Sequence, residues 1–319
     1  MTRRSEAHDY ITTHNRIRET AYGAKQTRRA SHPPRFCCRI DGMKLALLTG
    51  FIAAYLVFQG NDVRVLTSAA RALLNGTSLY HVDQFVSPFP AALLFIPFSP
   101  LPDALALRAV AFISVTLYVY VIQREARHWW IAVVLMCTPI FLYDLYAANV
   151  DWAVFAALLV PPPFAFLLAM VKPQIGLGVA LIALLAVWHK NKPLAIGLLV
   201  LEAGIFAVSF AAGMDWTKQL HGFRNFSAFP FGVVLGLPLI VLSLKRRDSV
   251  MALAAMPFLS PYVGPQSWIA VLPLLARVIQ RPISHRPAQH SNATTAQIAA
   301  SETASTIAVS RLMSRSNRE

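Results

Sequence analysis

Long apolar runs without a charged side chain, separated by short loops rich in Lys and Arg, constrain this chain more than any other feature. Charge-free runs occupy 45–61, 129–143, 152–171, 175–188, 226–244 and 249–276. Two more, 104–123 and 193–214, carry one charge each, Arg108 and Glu202. Crossing about 30 Å of hydrocarbon takes about 20 apolar residues in a helix. In that medium only helices and closed barrels satisfy their own backbone hydrogen bonds. Hydrophobic residues make up 56% of the 319 and charged residues 14%, against roughly 45–50% and 25% in soluble domains. The expected fold class is therefore all-α: a polytopic transmembrane helical bundle of about 8–10 membrane segments, some short or broken.

Where the charge sits says more than its total. Lys and Arg number 29 and Asp and Glu 15, a formal net charge of +14. The surplus is concentrated in the first 44 residues, in the loops QREARH (123–128), HKNK (189–192) and KRR (245–247), and in the tail from Arg277. Cytoplasmic loops of membrane proteins carry such an excess, so both termini are expected in the cytoplasm. The basic N-terminal stretch lacks the interleaved aromatics of a nucleic-acid surface, and no nucleic-acid partner is expected. With the basic loops inside, 61–87, 144–151, 215–225 and 260–267 face the other side. Lys172-Pro173-Gln174 joins them if the Pro161-Pro162-Pro163 segment makes only a short excursion. An odd number of crossings must then separate 61 from 123, so the Pro-rich 88–102 is read as a re-entrant or half-span.

Composition divides the chain in three. Residues 1–42 are a disordered basic N-terminal extension ahead of a natural start at Met43-Lys44, 43–281 form the transmembrane helical domain, and 282–319 are a disordered Ser/Thr/Ala-rich C-terminal tail. Cys37, Cys38 and Cys137 provide no disulfide framework and are read as reduced thiols.

Between the first run and the Pro-rich stretch the periodicity changes. Val63, Leu66, Ala70, Leu73 and Leu74 share one helical face, and Arg64, Thr67, Ser68, Arg71 and Asn75 another. This predicts an amphipathic helix on the membrane surface, capped by Asn61 or Asp62 and ended by a left-handed Gly76.

Polar residues on the face away from the basic loops are the candidate site, because interfacial and intramembrane polar groups are costly. Asp62 either caps its helix or acts as a general base toward an acceptor hydroxyl. Arg64 and Arg71, seven apart, project toward the headgroup zone, where they hold a lipid phosphate or anchor the helix to anionic lipid. Lys172, a lone cation ahead of Pro173 and Gln174, marks a broken helix open to a polar cavity. Asn149 and Asp151 open the same hairpin and are its expected partners. Tyr262 and Gln266 sit in another helix break and can hydrogen-bond a sugar. Glu202, mid-span, is read as a hydrogen-bond partner inside the bundle. His81 and Asp83 are too few for a metal site, and the chain has no zinc spacing, phosphate-binding Gly loop or nucleophile elbow. Neither a metal nor a cofactor is expected.

In order, the chain has a first span, Asp62, AARALLNGTSLY (69–80), SPFPAALLFIPFSPLP (87–102), Asn149-Val150-Asp151, Lys172-Pro173-Gln174 and Ser260-Pro261-Tyr262. This succession resembles glycosyltransferase family 87, the polyprenol-phosphomannose-dependent mannosyltransferase group of the GT-C superfamily, over roughly 43–280. Ser87-Pro88-Phe89-Pro90 stands where that family has an aromatic before two prolines, and Ala148-Asn149 where it has Gly-Gln. The resemblance implies a GT-C-like enzyme of the bacterial plasma membrane. It would transfer a hexose, mannose in that family, from a polyprenyl-phosphate sugar to an acceptor on the outer face, with inversion. Asp62 is then the expected base and Lys172 stands on the donor side. Membrane lipids and the polyprenyl-phosphate sugar are the implied partners. The residues leave open a second class, a non-catalytic membrane protein such as a small transporter or a lipid-binding scaffold. Broken helices suit a transporter, whereas the halves show no internal repeat.

Overall fold

The computed structural model describes residues 36–57, 60–126, 128–215, 217 and 225–279, all within a unit that ends at Gln280. The expectations for 1–35 and 282–319 lie outside the described residues. In chain order the helices are α1 (Phe36–Leu56), α2 (Asn61–Leu74), α3 (Phe89–Phe95), α4 (Asp103–Glu125), α5 (Trp129–Met136), α6 (Pro139–Ala147) and α7 (Asp151–Ala157). They continue with α8 (Pro162–Met170), α9 (Pro173–Lys190), α10 (Lys192–Ala211), α11 (Val233–Arg246), α12 (Ser249–Leu259) and α13 (Leu272–Ile279). Single 3₁₀ segments cover Leu79–His81, Ile96–Phe98 and Pro265–Val271, and the described residues form no strand.

By length and composition α4, α9 and α10 can each cross a membrane, and α5 with α6, bent by 67°, makes a fourth span if the pair is one broken crossing. The chain is an integral membrane protein on that ground. Four further apolar helical stretches, Gly42–Leu56, Phe89–Phe98, Ser249–Leu259 and Pro265–Ile279, run 10–17 residues, so most of the expected segments are pieces rather than full crossings. Prolines account for the division, since each removes a backbone donor and clashes with the preceding turn. The run 129–143 shows this where a single span was expected. Thr138 is extended (φ −72°, ψ 146°) ahead of Pro139, which opens α6.

At the N-terminal end two boundaries move. Helix is already present at Phe36, ahead of Met43, and α1 ends at Leu56 rather than Asn61. It runs antiparallel to α4: a Cβ added at Gly42 would stand 2.8 Å from Gln123, and one at Gly50 only 2.1 Å from Thr116 Oγ1. Buried Ala46 and Ala53 complete this close approach.

α2 forms where its periodicity predicts and buries Val63, Leu66 and Ala70 of the expected face together with Ala69, whereas Leu74 at its end is exposed. Gly76 (φ +68°) ends it, with Gly76 N donating to Leu73 O at 3.1 Å and Thr77 N to Ala72 O at 2.9 Å. That is a Schellman stop, which a residue with a Cβ would strain. The capping position falls to Gly60 instead of Asn61 or Asp62. Asp62 lies inside the first turn, where the helix dipole favours a carboxylate. Thr67, assigned to the polar face, is buried, and its hydroxyl donates to Val63 O at 2.8 Å.

The central hairpin positions the site. α7 and α8 have 7 and 9 residues and rise only about 10 and 14 Å. The chain therefore turns back within the bundle and brings Lys172 beside Asp151. α8 and α9 touch through backbone: a Cβ at Gly176 would lie 1.8 Å from Ala169 O. Gly176→Ala is expected to lower stability by about 1–3 kcal/mol, read as a drop in the thermal midpoint of the detergent-purified protein. An unchanged midpoint would mean that the two helices do not meet this closely.

The basic loops meet at one end of the molecule, where Arg247 Nη2 lies 3.4 Å from the His189 ring and Arg277 bridges Glu125 and Asp248.

Candidate functional site

A cavity of about 740 Å³ is walled by the first turns of α2, the loop 80–87, the end of α6, the start of α9 and the break before the last 3₁₀ segment. Six of the expected site residues line it: Asp62, Asn149, Lys172, Gln174, Tyr262 and Gln266. They come from parts of the chain as much as 200 positions apart and meet because the short hairpin returns Lys172 to the level where it began.

Asp151 stands behind this wall, fully buried, and forms an ion pair with Lys172, whose side chain is 12% exposed. Ser267 Oγ donates to the other carboxylate oxygen at 3.1 Å. A buried charge needs a partner and hydrogen bonds to be tolerated, and Asp151 has both. Asn149 Oδ1 accepts from Val150 N at 2.6 Å, which leaves its amide nitrogen able to donate. Gln174 Oε1 is buried without a hydrogen-bond partner among the described residues.

Neither arginine of α2 lines the cavity. Arg71 Nε donates to Ser99 O at 2.8 Å, and Nη2 to Leu101 O at 3.1 Å and Asp103 Oδ1 at 2.9 Å. That guanidinium ties α2 to the start of α4. Arg64 is exposed. Glu202 is buried as expected, but its Oε1 has no hydrogen-bond partner among the described residues.

Several residues of the site were not singled out from sequence. Asp144 is 1% exposed and lies within electrostatic reach of Asp151, Lys172 and Asp62, with the Tyr118 hydroxyl against it. A carboxylate in an otherwise apolar stretch was the available signal for Asp144. Tyr118 had none, being one of several aromatics in α4. Tyr80 also lines the cavity, as do His81 and Asp83, which the sequence offers only as too few for a metal site. The Tyr80 hydroxyl donates to Ser87 O at 3.3 Å, and burial pushes its phenol up, an effect that the Ser209 hydroxyl offsets in part. Among the described residues no group of three or more His, Cys, Asp or Glu could hold a metal ion.

Ala148, between α6 and Asn149, is left-handed (φ +48°, ψ 56°) and 2% exposed. A Cβ in that region costs about 1–2 kcal/mol, which glycine avoids. Ala148→Gly is therefore expected to raise stability by about 1 kcal/mol, seen as a higher thermal midpoint. A lower midpoint would contradict the left-handed turn.

No protein-family model matches the chain. No curated protein and no solved structure matches it either. The cavity and its residues carry the functional argument.

Proposed function

We propose that this chain is an integral membrane glycosyltransferase of GT-C type, moving a hexose from a polyprenyl-phosphate donor to an acceptor hydroxyl. It works at the membrane face opposite the basic loops, in a bacterial plasma membrane, with both termini in the cytoplasm. Mannose is the hexose in the family that the sequence resembles. The observation that supports this is the single cavity joining Asp62, at the start of α2, to Lys172 and to Tyr262 and Gln266. A base, a cation and neutral hydrogen-bonding groups around one space are what such a transfer needs.

In the proposed reaction the acceptor oxygen attacks the anomeric carbon and its proton passes to the Asp62 carboxylate. A carbon–oxygen bond forms to the acceptor as the bond from the anomeric carbon to the phosphate oxygen breaks, and polyprenyl phosphate leaves with the electron pair. Lys172, held by Asp151, meets the charge that develops on that phosphate. Asn149, Gln174, Tyr262 and Gln266 hold the sugar. The donor carries its own leaving group, so no nucleotide sugar is used.

The test is transfer by the full chain in proteoliposomes supplied with labelled polyprenyl-phosphate mannose or glucose and a lipid acceptor extract. Label is expected to leave the donor and appear in the acceptor fraction. No turnover of either donor, together with uptake of a small solute by the same vesicles, would favour a transporter instead.

A further inference from the structure

A second cleft, of about 350 Å³, opens where the basic loops meet. Four arginines line it, Arg124, Arg246, Arg247 and Arg277, against two carboxylates, Glu125 and Asp248. One arginine engages both carboxylates: Arg277 Nε donates to Glu125 at 2.8 Å and its Nη1 reaches Asp248. Asp248 also accepts from Val250 N and Met251 N, each at 3.1 Å. The N-terminus of α12 is thus closed by the chain's own carboxylate and offers nothing to an outside anion.

Four cations against two carboxylates leave the lining with a net charge of +2. None of the ion pairs among the described residues involves Arg124, Arg246 or Arg247. Two of the three make a long hydrogen bond to an uncharged or basic group. Arg124 Nη1 lies 3.4 Å from Leu158 O, and Arg247 Nη2 3.4 Å from the His189 ring. Like charges gathered in one cleft repel unless an anion enters. The rest of the lining is Ser249 and four aliphatic residues, Val121, Leu158, Leu159 and Val250.

We propose that this cleft binds an anionic lipid by its phosphodiester headgroup. Guanidinium groups match phosphate oxygens in geometry and charge, and basic pockets between membrane helices accept such headgroups. The aliphatic side distinguishes a lipid from a free anion: it takes the glycerol and first acyl carbons, for which inorganic phosphate has no counterpart. The double bridge from Arg277 joins α4, α12 and α13 and so fixes the walls. Arg247 ends α11 in a left-handed conformation (φ +53°) where glycine would be unstrained. A side chain needed for the headgroup explains why a strained arginine occupies that position. The inference is independent of sugar transfer at the opposite end.

Native mass spectrometry of the full chain, offered equimolar phosphatidylglycerol and phosphatidylcholine, tests it. Wild type is expected to retain one phosphatidylglycerol in preference. The double variant Arg246→Ala/Arg247→Gly should bind it about 30-fold more weakly, with its thermal midpoint unchanged or raised. Should that variant fail to fold, Arg124→Gln alone is expected to weaken retention about 5-fold. Inorganic phosphate should not displace the lipid. Equal retention of the two lipids, wild-type binding by the folded variant, or displacement by inorganic phosphate would each overturn the proposal.

Discussion

Asp62→Asn is expected to lower sugar transfer by about 10²–10⁴-fold, the range that removal of a general base produces. The amide keeps the size of the carboxylate and loses only its ability to take a proton. Thermal stability and donor binding should therefore stay near wild type, and the loss should fall on kcat rather than KM. Asp62 suits the role by position: it lies in the first turn of α2, on the wall of the cavity that also contains Lys172. A purely structural carboxylate would give the opposite pattern, a lowered thermal midpoint with the rate per folded molecule retained. Unchanged transfer in a folded Asp62→Asn protein would remove this residue from the base role.

Much of the arrangement was legible because the membrane simplifies what a sequence can mean. Charge is costly in an apolar slab, so the basic loops and the remaining polar residues gather apart, and each set lines a cleft of its own. Prolines mark the ends of helices, which is why the hairpin at Pro161-Pro162-Pro163 and the break at Pro173 could be expected. The partnership of Asp151 with Lys172 followed from a lone cation near a carboxylate that opens the same hairpin.

What failed depended on contacts between distant parts of the chain. The seven-residue spacing of Arg64 and Arg71 is a local rule, but Arg71 is held by carbonyls 28 and 30 positions away. Thr67 was assigned outward by polarity, yet its hydroxyl satisfies itself on Val63 O and Arg64 O in its own helix. A threonine can therefore be buried in a helix without a distant partner. The break at Thr138 rested on one proline in a run long enough to be read whole. Asp144 and Tyr118 meet only once α4 and α6 pack together, and no spacing within either helix announces it.

Lys172→Met is expected to destabilise the protein by about 3–5 kcal/mol, because it leaves the fully buried Asp151 charged and without its partner. Loss of the long side chain alone would cost less, since Met fills nearly the same volume. Adding Asp151→Asn removes the stranded charge while Ser267 Oγ can still donate to the amide oxygen. The double variant should thus recover most of the loss, and the cycle should give a coupling of about 2–3 kcal/mol, read from unfolding in detergent. Transfer separates the two roles of the lysine. If Lys172 meets the phosphate of the donor, the double variant folds but stays strongly impaired, with donor KM raised as well as kcat lowered. Wild-type transfer by the stable double variant would make the pair a structural fastening of the hairpin. The cation of the proposed reaction would then have to be sought elsewhere on the cavity wall.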